Sequence, residues 1–242
     1  MIEQDVVINT KYGRQPGYAA CPSEPGAYPP VIIYMDAPGF RDELKIQARR
    51  IARHGYFCLV PDLYYRLGTL RFDIPRRNEQ MSAVIRAAMQ SLTNTAVMED
   101  TAGMIAFLDG QDKAKEGPLG CVGHCMSGPF AMTAAAKYSR MTAAAALYGV
   151  DMVTDAPDSP HLGIPNVKGE LYVGFAEHDP AVAPHVVPAL KSALDNAGTR
   201  HVLETVAGTH HGYMFAIRPD FNPVAAEATW DKLFALWDRN LK

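Results

Sequence analysis

The run Leu119-Gly120-Cys121-Val122-Gly123-His124-Cys125-Met126-Ser127-Gly128-Pro129 constrains the fold more than any other part of the chain. A short apolar strand enters a cluster of small residues with a cysteine at its centre, and an alanine-rich helix follows. In the pattern G-x-Nu-x-G, a sharp strand-to-helix turn lifts the nucleophile above the sheet, and its neighbours must be small because the turn leaves no room for side chains. Cys125 takes the nucleophile position. Ser127 stands where a second glycine is usual, with Gly128 next to it. A thiol at the head of a helix lies where the dipole and free N–H groups favour a thiolate. The other three cysteines read as packing. Cys58 and Cys121 sit inside apolar runs, and Cys21 lies in a Pro/Gly-rich segment.

Around this elbow, strand-like and helix-like runs alternate. The patterning predicts strands at 6–10, 31–35, 57–60, 119–123, 143–148, 170–174 and 201–206. Helices are predicted near 41–53, 79–92, 94–108, 126–138, 183–197 and 224–241. The segment from Gln15 to Pro30 is predicted to join early edge strands. Such alternation implies one α/β domain over residues 1–242, with a mostly parallel sheet covered on both faces. A chain of 242 residues can bury roughly 70–75% of its unfolded surface without disulfides. In a sheet of this kind the functional loops gather beyond the carboxyl ends of the strands.

A formal net charge of −3, a pI near 6.2 and the lack of a Lys/Arg run exclude a polyanion-binding surface. Small molecules are therefore the expected partners, without nucleic acid or membrane, for a monomer or small homo-oligomer. The acidic start Met1-Ile2-Glu3-Gln4-Asp5 lacks the features of a secretory signal, and no apolar run approaches ~20 residues. Four unevenly spaced cysteines fit reduced thiols, which makes a cytoplasmic location the expectation.

A cysteine nucleophile needs a base for its proton, and the base needs a carboxylate to fix its tautomer. Beyond the strand around Leu171 comes Ala176-Glu177-His178-Asp179-Pro180, which offers Asp179 as the acid and Glu177 as the alternative. Beyond the strand at 201–206 comes Gly208-Thr209-His210-His211-Gly212-Tyr213. His211 is the expected base, because Gly212 beside it would let the backbone pack close to the elbow, and His210 is the alternative. A metal site built from His178, Asp179, His185, His210 and His211 matches no compact ligand spacing.

These residues, with Asp36 to Gly39, Val60-Pro61-Asp62-Leu63-Tyr64 and Tyr148-Gly149-Val150, make the chain resemble the dienelactone hydrolase family, the carboxymethylenebutenolidases, from about residue 30 onward. The resemblance implies an α/β-hydrolase fold and a Cys125/His211/Asp179 triad acting on enol lactones, with no metal or organic cofactor. It implies an oxyanion hole from the N–H groups of Met126 and Ala37. The family has glutamate at Asp36, where the acid holds the resting thiol. It binds a substrate carboxylate through arginines, one soon after the catalytic histidine and one beyond Pro-Asp-Leu-Tyr. Here Met214-Phe215-Ala216 follows the histidine and Arg218 comes later, while Arg71, Arg76 and Arg77 are available for the second. Tyr64, Tyr65, Tyr148, Tyr213 and Phe215 are expected near the mouth of the pocket, of which Tyr64, Tyr148, Tyr213 and Phe215 join Asp36, Arg76 and Arg77 as substrate-binding candidates.

The choice of a thiol narrows the substrates. A thiolate leaves more readily than an alkoxide, so the tetrahedral adduct reverts unless the departing oxygen is stabilised. Enol lactones and activated esters meet that condition, and amides and alkyl esters do not. The expected activity is hydrolysis of carboxylic esters through a thioester on Cys125. A non-catalytic ligand-binding protein on the same scaffold is the alternative, because fold alone does not prove activity.

Overall fold

A computed structural model describes all 242 residues. Eight strands form one sheet: β1 (Ile2–Thr10), β2 (Gly13–Cys21), β3 (Pro30–Tyr34), β4 (Phe57–Pro61), β5 (Leu119–His124), β6 (Met141–Leu147), β7 (Glu170–His178) and β8 (Arg200–His210). Their order is β1-β2-β4-β3-β5-β6-β7-β8. β2 runs antiparallel to both β1 and β4, and every other pairing is parallel. Six helices accompany it: α1 (Asp42–Arg53), α2 (Glu79–Gln90), α3 (Asn94–Asp109), α4 (Gly128–Lys137), α5 (Val186–Ala197) and α6 (Pro223–Leu241). α1 and α6 pack on one face of the sheet, and α3 and α4 on the other. No helix is long and apolar enough to cross a membrane.

The two faces can be read from β5, where side chains alternate with period two. A Cβ on Gly120 would lie 2.8 Å from Leu241 Cδ1 and 3.1 Å from Trp237 Cδ1, so α6 rests on that glycine. The next residue, Cys121, faces α4, with its Sγ 3.8 Å from the Ala131 carbonyl. β6 carries four consecutive buried alanines, Ala143 to Ala146. Alanine has little strand preference of its own, and burial between two helix layers overrides it here. Across from them Ala131, Ala134 and Ala135 of α4 are buried as well.

The segment Gln15 to Pro30 is only partly the expected connector, because Gln15 to Cys21 lies within β2. Pro16 and Gly17 obscure this strand in the sequence, since both are depleted from sheet interiors. Packing supplies the reason for the glycine: a Cβ on Gly17 would lie 2.9 Å from the Val60 carbonyl of β4. The other departures are in length. β7 and β8 extend to His178 and His210, beyond the expected ends near 174 and 206.

The elbow follows β5 directly. Cys125 has φ of +56°, a left-handed conformation that side chains rarely adopt. The turn is so tight that a Cβ on Gly123 would lie 1.9 Å from the Ser127 carbonyl oxygen. Gly128 meets Gly149, with a Cβ at 128 falling 2.6 Å from Gly149 Cα. Ser127 is tolerated because its hydroxyl turns away and donates to the Met35 carbonyl at the end of β3. Since backbone atoms cannot yield as a flexible side chain can, Gly123→Ala should destabilise the fold by about 3 kcal/mol or more. Urea denaturation of the two proteins measures this, and a loss below about 1 kcal/mol would show that the turn can open.

Candidate active site

Three loops at the carboxyl edge of the sheet converge on Cys125: the stretch after β3, the turn after β7 and the turn after β8. His211 lies just beyond β8 and donates through Nδ1 to Asp179 Oδ2 at 2.7 Å. The Asp179 side chain is 3% exposed and that of His211 is 19% exposed. Asp179 also accepts the Ala181 N–H through its other oxygen, at 3.0 Å, so the residue closes its own turn and orients the histidine together. Burial pushes the imidazole toward its neutral form, but the hydrogen bonds to Asp179 and to the Cys125 thiol outweigh it, raising His211 to about 9. Glu177 points elsewhere and accepts the Gly208 N–H at 2.7 Å. His210 pairs in register with His178 across β7 and β8, and both are exposed.

In the loop after β3, the Ala37 N–H donates to no backbone or side-chain group of the protein. Tyr64 steadies this loop, because its hydroxyl donates to the Ala37 carbonyl at 2.8 Å and lies 3.4 Å from Met126 Sδ. It thereby bridges the loop after β3 and the elbow. Gly39 makes room for the ring, since a Cβ there would sit 3.2 Å from it. Tyr64 is buried, so it braces the two expected oxyanion donors rather than lining an open mouth.

Asp36 departs most from expectation. It is wholly buried, and both carboxylate oxygens are taken by arginines. Arg41 forms a two-pronged pair with it, Nη1 to Oδ1 and Nη2 to Oδ2, the latter at 3.1 Å. Arg218 Nη2 also donates to Oδ2, at 3.2 Å. Burial works against the Asp36 carboxylate, but the two arginines prevail and hold it below its usual range. The acid is therefore committed to the guanidinium groups, and it makes no hydrogen bond to Cys125. The sequence reading missed Arg41, which lies five residues after Asp36 at the start of α1. The spacing of an acid and an arginine across one loop was the only available signal.

Arg218 explains Gly212. With φ of +86°, Gly212 lies against the guanidinium, and a Cβ there would fall 2.7 Å from Arg218 Nη1. The glycine makes room for Arg218 and not, as expected, for the elbow. Phe215 lies under Arg41, whose guanidinium carbon is 4.6 Å from the ring centroid.

The remaining candidates separate. Tyr148 is fully buried, and its hydroxyl meets His124 Nδ1 at 3.0 Å. Its ring lies edge-on to His211, 5.2 Å between centroids. Tyr213 is likewise buried, with its hydroxyl 2.9 Å from that of Thr229. Both tyrosines, expected at the mouth of the pocket, belong instead to the buried core, with ring centroids 5.4 Å apart. Burial lowers His124 to about 4, so it is a neutral imidazole. Arg76 is solvated and pairs with Asp73, Arg77 donates to Ser82 Oγ at 2.8 Å, and Arg71 pairs with Asp62 at 2.9 Å. None of the three makes an ion pair or hydrogen bond to a residue of the Cys125 site.

The sequence profile of the Dienelactone hydrolase family matches residues 16–241. The chain belongs to that family. A Methylorubrum extorquens protein named "Putative carboxymethylenebutenolidase" is 26% identical over 237 residues, which span 96% of this chain and 79% of that one. A crystal structure from Klebsiella pneumoniae, of a "Putative Dienelactone Hydrolase", superposes with a TM-score of 0.88 at 19% identity, covering 98% of both chains. The dienelactone hydrolase of Anabaena variabilis gives 0.73 at 17% identity, covering 100% of this chain and 99% of that one. At such identities these structures share the fold, which is that of the α/β-hydrolases. Family membership makes the chain a hydrolase of carboxylic esters, acting on small molecules.

Removing Asp36 while leaving two buried arginines should cost about 3–5 kcal/mol, because an uncompensated buried charge remains. Asp36→Ala measured by chemical denaturation tests this. The depressed pKa adds a pH signature. Stability from Asp36 is present above the unfolded carboxyl pKa and is lost as pH falls through the lower folded value. Wild type and Asp36→Ala should therefore converge in stability in acid.

Proposed function

We propose that this chain hydrolyses enol lactones or other activated carboxylic esters by a cysteine-dependent route, with Cys125 as nucleophile, His211 as base and Asp179 as orienting acid. The observation that carries the reading is the 2.7 Å hydrogen bond by which the buried Asp179 carboxylate holds His211 Nδ1, with the Cys125 thiol near enough to favour the imidazolium. The Nδ1 proton belongs to the bond with Asp179, so Nε2 is the nitrogen that serves the sulfur. His211, raised to about 9, takes and holds the thiol proton while the sulfur attacks as the thiolate.

Attack forms a carbon–sulfur bond and moves the carbonyl electron pair onto oxygen. The N–H groups of Ala37 and Met126 receive that oxyanion, and donors of this kind are each worth about 2.7–4 kcal/mol of barrier. The unclaimed Ala37 N–H supports this role. Collapse breaks the bond to the leaving oxygen, which takes the His211 proton as it departs. A thioester on Cys125 remains. Neutral His211 then removes a proton from water, hydroxide adds to the thioester carbon, and the thiolate leaves. The carboxylic acid product gives its proton to solvent, and Cys125 and His211 are left sharing the one proton with which they began. An enolate or aryloxide departs easily, whereas an alkoxide loses to the thiolate and the adduct reverts.

Variants, the pH profile and a leaving-group series test the assignment. Asp179→Asn should retain the fold and lower kcat by about 10⁴, since it favours the wrong imidazole tautomer. Normal turnover in that variant, with loss in Glu177→Gln, would reassign the acid. In the wild type, kcat/KM should fall above pH 9, as the imidazolium that protonates the leaving group is lost. Folding stability contributed by His211 has the same sign: it is present below the unfolded pKa near ~6.5 and lost as pH rises through about 9. Across aryl and enol esters, kcat/KM should rise steeply as leaving-group pKa falls, and a mass increment on Cys125 should accompany turnover. Full activity in Cys125→Ala would place the nucleophile elsewhere.

A further inference from the structure

We infer that the acyl group this enzyme accepts is uncharged and apolar, and that it occupies a cavity between α2, α4 and the loop after β6. The inference rests on the proposed thioester route and concerns open-chain esters, because that route divides such a substrate into a part that leaves and a part that stays on sulfur.

The cavity has a volume of about 410 Å³, within the range of small-molecule sites. Met126, the residue after the nucleophile, forms part of its wall, with Met89, Leu92, Pro129, Phe130 and Pro160 as further apolar surface. No residue between 161 and 242 lines it, so it opens away from His211. A leaving oxygen must stay beside that imidazole to be protonated. The part of the ester on the opposite side of the carbonyl carbon is the acyl chain.

The charges around the site exclude a carboxylate from that position. No lysine or arginine lines the cavity. Asp151 and Asp158 do, both exposed at its rim, and neither carboxylate has an ion-pair partner. Asp151 is held there with φ of +53° by the turn that follows β6 and sends the Val150 N–H to the Cys125 carbonyl at 3.2 Å. The two cations nearest the elbow, Arg41 and Arg218, are mostly buried and spent on Asp36. A larger cavity of about 880 Å³ has Arg77 and Arg218 in its wall, but Glu79 and Asp220 stand beside them and balance the charge.

The test pairs two activated esters with acyl chains of equal length, 4-nitrophenyl hexanoate and the mono-4-nitrophenyl ester of adipic acid. The hexanoate should be preferred in kcat/KM by about tenfold or more, since the adipate carboxylate would meet two unpaired aspartates. Raising the salt from 0.01 M to 1 M shortens the Debye length from about 30 Å to 3 Å and should shrink that preference several-fold. The double variant Asp151→Asn/Asp158→Asn should shrink it in the same way. From acetate to hexanoate, kcat/KM should grow by about threefold per added methylene as apolar wall is covered. A ratio at or below one, or a ratio that neither salt nor the double variant moves, overturns the inference. Should the double variant fail to fold, the wild-type ratio and its salt dependence still decide. Turnover of both esters that iodoacetamide abolishes, with adipate preferred, sinks this inference and leaves the thioester route standing. Turnover of neither sinks both.

Discussion

A buried carboxylate with two guanidinium partners ties the reactive edge of this molecule together. Moving a carboxylate out of water costs several kcal/mol even after relaxation, so Asp36 can sit at zero exposure only while Arg41 and Arg218 remain against it. Asp36 belongs to the loop that presents the Ala37 N–H, Arg41 opens α1, and Arg218 follows the histidine turn. One electrostatic requirement therefore fixes the loop after β3 relative to the loop after β8. Neither loop can move far without separating charges in a low dielectric, where separation is expensive.

The same arrangement changes what the site recognises. An arginine beside a nucleophile invites an anionic ligand, but a guanidinium already facing a buried carboxylate offers a new anion little net attraction. Where the family pattern has a glutamate reaching the thiol, this chain has a residue one methylene shorter, drawn toward arginines. The Asp36 carboxylate is turned to the two guanidinium groups and makes no hydrogen bond to Cys125.

How much of this the sequence revealed follows from the range of the interactions involved. The elbow was legible because Gly123 is demanded by a contact within a few residues of Cys125, the Ser127 carbonyl. Asp179 and His211 were legible because each follows a recognisable strand end, and the strand ends converge. β2 was hidden by Pro16 and Gly17, whose presence answers to β4 some forty residues away. Tyr148 and Tyr213 looked like pocket residues because aromatic rings near a site suit either a wall or a core, and only burial separates the two. Arg218 carries no local signal of its pairing, since its partner Asp36 lies 182 residues earlier and is reached only where loops from opposite ends of the chain meet.

The alanine floor beneath the elbow has its own consequence. Ala143 to Ala146 of β6 and the facing alanines of α4 have no rotamers, so ordering them on folding costs no side-chain entropy. A floor of leucines or methionines would bury more surface but would hold alternative packings, each shifting the backbone above it by a fraction of an ångström. β6 pairs with β5 up to the residue before the strained turn at Cys125, so the strand beside that turn packs through side chains that have only one state.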